Sequence, residues 1–229
     1  MLASIILGGD FSWITLVGYI VAVLINIFFS LPVHECAHAF AAYKLGDNTA
    51  KYSGRLTLNP FAHIDYLGAF LMIFVGFGWA KPVPVDMRRF KNPKRDMALT
   101  ALAGPVSNIL LAFVALVLSH LFLILSYKVS ATAAMATSIV ATIFYWTADI
   151  NVYLGIFNLV PIPPLDGSRI LNAFLSDRVY YKLMKFERYS FIIVIALAYL
   201  FGDALSGIAT FVFKAISNLA FLPFQLFLG

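Results

Sequence analysis

The run from Trp13 to Tyr43 constrains this chain most, because it is apolar almost throughout and yet ends in the sequence HECAH, residues 34–38. A run of this length predicts a helix that crosses a bilayer. Residues four apart share one face of a helix, so the imidazoles of His34 and His38 can hold one metal ion. Glu35 beside them can then reach a metal-bound water. The run therefore predicts a zinc site with hydrolytic chemistry inside a membrane.

The position of Glu35 supports a functional reading of this motif. A charged residue near the centre of a membrane helix costs about 3 kcal/mol, and such residues are usually functional. The alternative is a helix that carries two unrelated histidines, and the sequence disfavours it. Cys36, the only cysteine, is interpreted as a helix filler inside the motif rather than a ligand, and one cysteine excludes an internal disulfide.

The composition places the whole chain in a bilayer. It is 62% hydrophobic and 12% charged, with a mean hydropathy of +0.89, which is more apolar surface than a soluble domain of 229 residues can bury. We expect an all-α polytopic membrane protein of about four to six transmembrane or re-entrant helices. It is predicted to be one domain over residues 1–229, with a catalytic core over about 13–175 and C-terminal helices over about 189–229. The N-terminus resembles no removable signal peptide, so the first helix is expected to be retained.

Four apolar runs predict membrane-spanning helices over residues 13–43, 97–127, 131–159 and 189–213. The first is expected to bend near Pro32, since proline removes a backbone hydrogen bond. Gly202 and Asp203 weaken the fourth, and the tail to Gly229 is expected at the membrane interface. The apolar stretch over residues 66–80 is too short for a comfortable span, so it is expected to enter without crossing.

The basic residues predict the orientation. Of 16 lysines and arginines, nine lie between the first two long helices and five lie between Asp166 and the fourth. Fourteen can thus share one side, which the positive-inside rule makes cytoplasmic. The metal is then expected about 10 Å below the cytoplasmic boundary, because Lys44 follows His38 by six residues at 1.5 Å each. No basic patch with interleaved aromatic residues argues for nucleic acid.

Two segments between the first long helices have the character of strands. Residues 51–58 alternate polar and apolar side chains, and Lys81–Val85 is held extended by its prolines. They predict a small β-hairpin or sheet near the cavity. It would either capture an unwound substrate by strand addition or serve as a covering flap, and the sequence favours neither.

A zinc site needs a third protein ligand and an open position. Asp166 is the strongest candidate, because it follows three prolines that end the third helix within residues 158–167. Such broken backbone at membrane depth is tolerated where it is buried in protein or lines a wet cavity. Gly167 is expected to permit a tight turn beside it. The alternative is that Asp166 only caps the helix that follows.

Three motifs together resemble the site-2 proteases, the zinc peptidases that cut helices within the membrane. They are HECAH, then Gly104-Pro105-Val106-Ser107-Asn108, then NLVPIPPLDG over residues 158–167, and they match the family patterns H-E-x-x-H, G-x-x-x-N and N-x-x-P followed by D-G in order. The resemblance implies that His34, His38 and Asp166 bind one Zn²⁺ per chain and that Glu35 is the catalytic base. It also implies that Asn108 and Asn158 bind the substrate backbone or support the oxyanion. A hydrogen bond between helices remains the alternative for either asparagine.

The resemblance further implies regulated intramembrane proteolysis of transmembrane-helix substrates near the cytoplasmic side. The expected partners are a membrane-protein substrate helix and the lipid bilayer, with no appended soluble domain. A zinc transporter or a non-catalytic helix-binding protein is the alternative, although the paired halves and repeated polar sites of transporters are missing from the sequence.

Four further polar residues lie outside these motifs. His63 and Asp65 predict either an interfacial turn led by Asn59 or a gate, a proton route or a further zinc contact. Asp149 is expected to face the bundle or the cavity. His120 is interpreted as an interface residue.

Overall fold

A computed structural model describes residues 13–74 and 78–228 of the chain. The first long helix consists of α1 (Trp13–Ile25), a π-helical turn (Asn26–Ser30) and α2 (Leu31–Lys44). The other long helices are α6 (Pro93–Ser126), α7 (Ala131–Asn158) and α10 (Ser190–Leu228). Short helices lie between them: α3 (Thr49–Tyr52), α4 (Pro60–His63), α5 (Tyr66–Phe74), α8 (Asp166–Leu171) and α9 (Asp177–Met184), with 3₁₀ turns at Met87–Arg89 and Lys185–Tyr189.

Four helices within the described residues are long and apolar enough to cross a membrane: Thr15–Lys44, Pro93–Ser126, Ala131–Asn158 and Ile192–Gln225. The prediction of an integral membrane protein with helical spans is confirmed. The largest buried cluster joins α6, α7 and α10 and is rich in alanine, with Ala112, Ala148 and Ala220 fully buried. Small residues let membrane helices approach closely, which favours van der Waals packing in lipid.

The bend predicted near Pro32 takes the form of the π-helical turn that immediately precedes α2. The backbone N–H of Leu31 donates to the carbonyl of Asn26, five residues earlier. Pro32 then lies in the first turn of α2, the part of a helix that tolerates proline best. The turn therefore absorbs the break, and α2 begins in a new register just before His34.

A buried polar cluster fastens this turn to α7. The Asn151 amide donates to Asn26 Oδ1 at 2.7 Å and to Ser30 Oγ at 3.0 Å. All three side chains are at most 1% exposed. Hydrogen bonds between helices are favourable where the alternative is an unpaired polar group in hydrocarbon. The cluster therefore fixes the position of the start of α2 along α7.

The fourth span is longer than the sequence predicted. Helix α10 runs unbroken from Ser190 to Leu228, past both Gly202 and Asp203, so the predicted end at residue 213 is wrong. A single glycine costs a helix only about 1 kcal/mol. Packing of Leu205, Ala209 and Phe213 against α6, α7 and the loop before α8 outweighs that cost.

The apolar stretch over residues 66–80 begins with a short helix, and the chain on either side of it is paired; its entry into the membrane without crossing stays a prediction. Helix α5 ends at Phe74, and Ile64 forms an antiparallel bridge with Ala80. The Lys81 N–H also donates to the His63 carbonyl at 2.7 Å. Both ends of the segment therefore lie side by side.

The expected small β-hairpin or sheet is not found in the described residues, where the isolated Ile64–Ala80 bridge is its nearest equivalent. Residues 49–52 form helix α3 instead, because Asp47 accepts the Thr49 N–H at its start and Gly54 turns the chain at φ +68°. Lys81–Val85 is extended, but Pro82 and Pro84 cannot donate to a ladder. Alternation of side chains alone did not specify a strand here.

We predict that Asn151→Leu lowers the free energy of unfolding by about 1–2 kcal/mol, because it leaves the Asn26 and Ser30 acceptors without their donor. Thermal unfolding in detergent measures the change. Thr137→Val is the control, since its hydroxyl bonds only to carbonyls of its own helix. Equal stability of the two variants would contradict a role for the cluster.

Candidate metal centre

Three side chains from two distant parts of the chain converge on one point. His34 and His38 lie on one face of α2, and their Nε2 atoms are 3.0 Å apart. Asp166 Oδ2 is 3.4 Å from His34 Nε2 and 3.2 Å from His38 Nε2. Among the described residues these three form a group that can offer one ligand atom each to a metal ion. The structure thus brings the three predicted ligands together.

The tautomer of His38 follows from its other nitrogen. Nδ1 lies 2.8 Å from the carbonyl oxygen of Thr100 on α6. A carbonyl only accepts, so Nδ1 carries the proton and Nε2 of the neutral ring presents a lone pair to the site. Such a carbonyl partner on the second nitrogen is the usual arrangement behind a metal-binding histidine.

The three atoms fit a zinc ion. Ligands at 2.0–2.2 Å from a tetrahedral zinc are separated by about 3.3–3.5 Å, close to the 3.0–3.4 Å found here. Asp166 Oδ2 is buried, and no hydrogen bond to it is found within the described residues. Two imidazoles and one carboxylate form a donor set suited to zinc.

Gly104 provides the room for this arrangement. A Cβ atom at this position of α6 would lie 2.4 Å from His38 Nε2 and 2.6 Å from His34 Cε1. No side chain larger than hydrogen fits unless the imidazoles move. The steric demand of the two imidazoles therefore explains why the Gly104–Asn108 motif begins with glycine.

Asp166 reaches the histidines because α7 ends sharply. Helix α7 stops at Asn158, and Pro161, Pro163 and Pro164 prevent its continuation, so that α8 begins at Asp166. A Cβ at Gly167 would lie 2.2 Å from the Leu159 carbonyl oxygen. Gly167 thus permits close packing of α8 on the end of α7, whereas the sequence predicted a tight turn.

The alternative role of Asp166 as a helix cap is not supported by its geometry. Asp166 is the first residue of α8, the N-cap position belongs to Leu165, and the helix has no side-chain cap. The Asp166 carboxylate instead faces the Nε2 atoms of the two histidines.

Glu35 is oriented by the backbone opposite α2. Its Oε2 accepts the Val83 N–H at 3.1 Å in a buried contact. Glu35 and the three predicted ligands line the same cavity of about 370 Å³. Apolar side chains form most of its wall, among them Leu31, Leu154, Phe157 and Val194. The cavity has the size and character of a binding pocket for a small part of a substrate.

The two predicted asparagines occupy different places. Asn158, the last residue of α7, lines the cavity. Asn108 is 1% exposed and lies near Gly155 of α7, outside the residues described as lining the cavity. No hydrogen bond to its amide is found within the described residues.

Two of the polar residues outside the three motifs, His63 and Asp65, have local structural contacts. Asn59 caps α4 by accepting the Phe61 N–H, and His63 Nε2 contacts the Thr57 carbonyl at 2.9 Å. Asp65 accepts the Gly68 N–H at the start of α5. The interfacial turn is therefore the better interpretation of this motif.

His120 packs in α6 against Phe221 and Phe224 of α10. Its place at the membrane interface stays a prediction.

Three groups that contribute to the site were not predicted from the sequence. The Val83 N–H and the Thr100 carbonyl are backbone groups, which no residue type signals. Arg169 lines the cavity and follows Asp166 by three residues in α8. Residues three apart share a helix face, so this spacing could have identified Arg169 once Asp166 was known.

The chain is similar in sequence to several known proteins. Residues 22–201 match the model of peptidase family M50. YwhC of Bacillus subtilis, named as a candidate zinc metalloprotease, is 44% identical over 174 residues, which cover 76% of this chain and 78% of the relative. Rip2 of Mycolicibacterium smegmatis, named likewise, is 29% identical over 202 residues, 83% of this chain and 74% of the relative. No solved structure matches significantly.

We predict that Gly104→Ala reduces zinc affinity by more than about ten-fold, because the new methyl group displaces both imidazoles. Competition with a chromophoric chelator measures the affinity. Gly202→Ala in α10 is the matched control, since no atom lies within 4 Å of a Cβ added there. Wild-type affinity in Gly104→Ala would contradict the proposed packing of α6 on the metal centre.

Proposed function

Because this chain belongs to peptidase family M50, the site-2 protease family, and is a zinc metalloprotease of the membrane, we propose that it hydrolyses peptide bonds within transmembrane helices of other proteins. His34, His38 and Asp166 would hold one zinc ion, and Glu35 would act as the base. The observation that carries this proposal is the convergence of the three ligand atoms beside Glu35 in one cavity between membrane helices.

The cavity brings the parts of a hydrolytic site together. When bound, zinc supplies a Lewis acid that makes water more acidic and polarises a peptide carbonyl. Glu35 lies next to His34 in sequence and lines the same cavity, so its carboxylate can take a proton from water held there. The bond from Val83 N–H occupies Oε2 and leaves Oε1 for this transfer. Glu35 then returns the proton to the leaving amine.

The remaining residues would bind and orient the substrate. Asn158 lines the cavity beside Asp166, where its amide can bond to a substrate backbone. Asn108 is not among the residues that line the cavity, and no partner for its amide is found in the described part of the chain, so it would bond to a substrate only after a rearrangement. The apolar wall favours apolar substrate side chains.

The substrate must unwind before cleavage. The carbonyls of a helix are engaged in hydrogen bonds four residues apart and are shielded by side chains. A cavity of about 370 Å³ holds an extended segment of few residues rather than a helix about 10 Å across. We therefore propose that the enzyme selects helices that are locally unstable.

We place the site toward the cytoplasmic side. If the four spans cross the bilayer, the segments between the first and second spans and between the third and fourth share one side. These segments and the helix ends beside them carry 14 of the 16 lysines and arginines, which favours the cytoplasm.

We also propose that residues 1–229 form a single domain.

We predict that Glu35→Gln lowers the cleavage rate by about 10²–10⁴-fold and leaves the zinc content unchanged, because it removes the base and keeps the ligands. Asp166→Asn should lose zinc as well as activity. Cleavage of a membrane-helix substrate by purified protein in detergent, with metal analysis of the same samples, measures both. Undiminished cleavage by Glu35→Gln would refute the assignment, and zinc transport into liposomes without proteolysis would support the transporter instead.

We also predict that helix stability of the substrate governs the rate. A Gly-Pro pair placed in a poly-leucine substrate helix should raise the rate of cleavage near the pair, since both residues disfavour helix. An Ala-Leu pair at the same positions is the control. Equal rates for the two substrates would contradict selection by local unwinding.

A further inference from the structure

The backbone segment over residues 80–86 forms part of the cavity wall that faces Glu35 of α2. Ala80, Pro82, Val83 and Val85 line the cavity. The Val83 side chain is 6% exposed and packs on Ala39 and Ala50, whereas Pro82 and Pro84 on either side of it are exposed. We call residues 80–86 the strap. Proline at 82 and 84 leaves Val83 as the single N–H donor between Lys81 and Val85, and this N–H is the one that Glu35 accepts.

Arg55 binds the backbone carbonyls of the strap. Its Nη2 donates to the Lys81 carbonyl and lies 3.3 Å from the Pro82 carbonyl. Arg55 is 9% exposed, and no carboxylate lies within salt-bridge distance of it in the described part of the chain. Burying an arginine without a counter-ion is costly, so backbone carbonyls as its partners indicate a specific task. The Pro82 carbonyl and the Val83 N–H belong to the same planar peptide unit.

The far end of the strap is fixed separately. Asp47 is fully buried and accepts the Asp86 N–H at 2.7 Å and the Thr49 N–H at 2.9 Å. At the near end, Lys81 N–H donates to His63. The strap is thus anchored at both ends, and Arg55 acts on the peptide that meets Glu35.

We propose that Arg55 is a positioning residue for Glu35, which acts through the Pro82–Val83 peptide without touching substrate or metal. By fixing the Pro82 carbonyl, Arg55 aims the Val83 N–H at Oε2, and this bond directs Oε1 into the cavity. The inference rests on the proposed role of Glu35 as base. Loss of Arg55 or of the Val83 N–H then frees the Glu35 carboxylate to rotate.

The test compares Arg55→Gln, Arg55→Lys, Val83→Pro, Val83→Ala and the double variant Arg55→Gln/Val83→Pro. Val83→Pro removes the N–H, whereas Val83→Ala keeps it and loses packing only. kcat and KM for a membrane-helix substrate, zinc content, and hydrogen exchange at the Val83 amide are measured. The exchange measurement reads the contact independently of activity.

We expect Val83→Pro and Arg55→Gln to lower kcat about ten- to hundred-fold with KM and zinc content nearly unchanged. Val83→Ala should lose less, Arg55→Lys should recover part of the loss, and the double variant should be no slower than Val83→Pro. Faster exchange at Val83 in Arg55→Gln is also expected. If Val83→Pro fails to fold, the Arg55 variants and Val83→Ala still decide the matter.

Several results would overturn the inference. They are wild-type kcat or wild-type Val83 exchange in Arg55→Gln, multiplicative losses in the double variant, or a change carried by KM or by zinc loss. A rise in kcat/KM would identify the strap as a gate instead. A wild-type protein that cleaves no membrane helix sinks the proposed function, and the Val83 exchange still tests the Arg55 contact.

Discussion

The structure depends on one constraint, which is that two imidazoles and a carboxylate must meet inside a bundle of membrane helices. His34 and His38 come from the first span, and Asp166 comes from the start of α8 after the third. Charged and polar groups are expensive at this depth unless they are paired. The π-helical turn before α2 and the proline-rich end of α7 position the elements that carry these ligands. Gly104 leaves room for the two imidazole rings. A metal ion held by all three would link the beginning and the end of the core.

Polar contacts elsewhere in the bundle also support the site. Asn151 fastens the turn before α2 to α7, the Thr100 carbonyl orients His38, and the strap orients Glu35. Each contact joins an element that bears a site residue to a different element. The site is therefore supported by interhelical contacts as well as by α2 itself, which is consistent with a mechanism that needs a preorganised base.

The sequence predicted those features that short patterns determine. The four apolar runs, the i, i+4 spacing of His34 and His38, and the proline-rich end of α7 each follow from local chemistry. The predicted strands failed because Asp47 accepts the Thr49 N–H at the start of α3 and because Pro82 and Pro84 have no N–H to donate, which outweighs the alternation of side chains. The Thr100 carbonyl and the Val83 N–H could not be predicted, since a backbone group leaves no mark in the residue type. The length of α10 depended on packing against α6 and α7, which a single-sequence pattern does not contain.

X-ray absorption spectroscopy of the zinc-loaded protein reports the atoms bound to the metal and so decides whether His34, His38 and Asp166 hold one ion. We expect nitrogen and oxygen ligands at about 2.0–2.1 Å with the outer-shell scattering of two imidazoles, reduced to one in His38→Ala. A sulfur ligand at about 2.3 Å, as Cys36 would provide, or a spectrum without imidazole scattering would contradict this expectation.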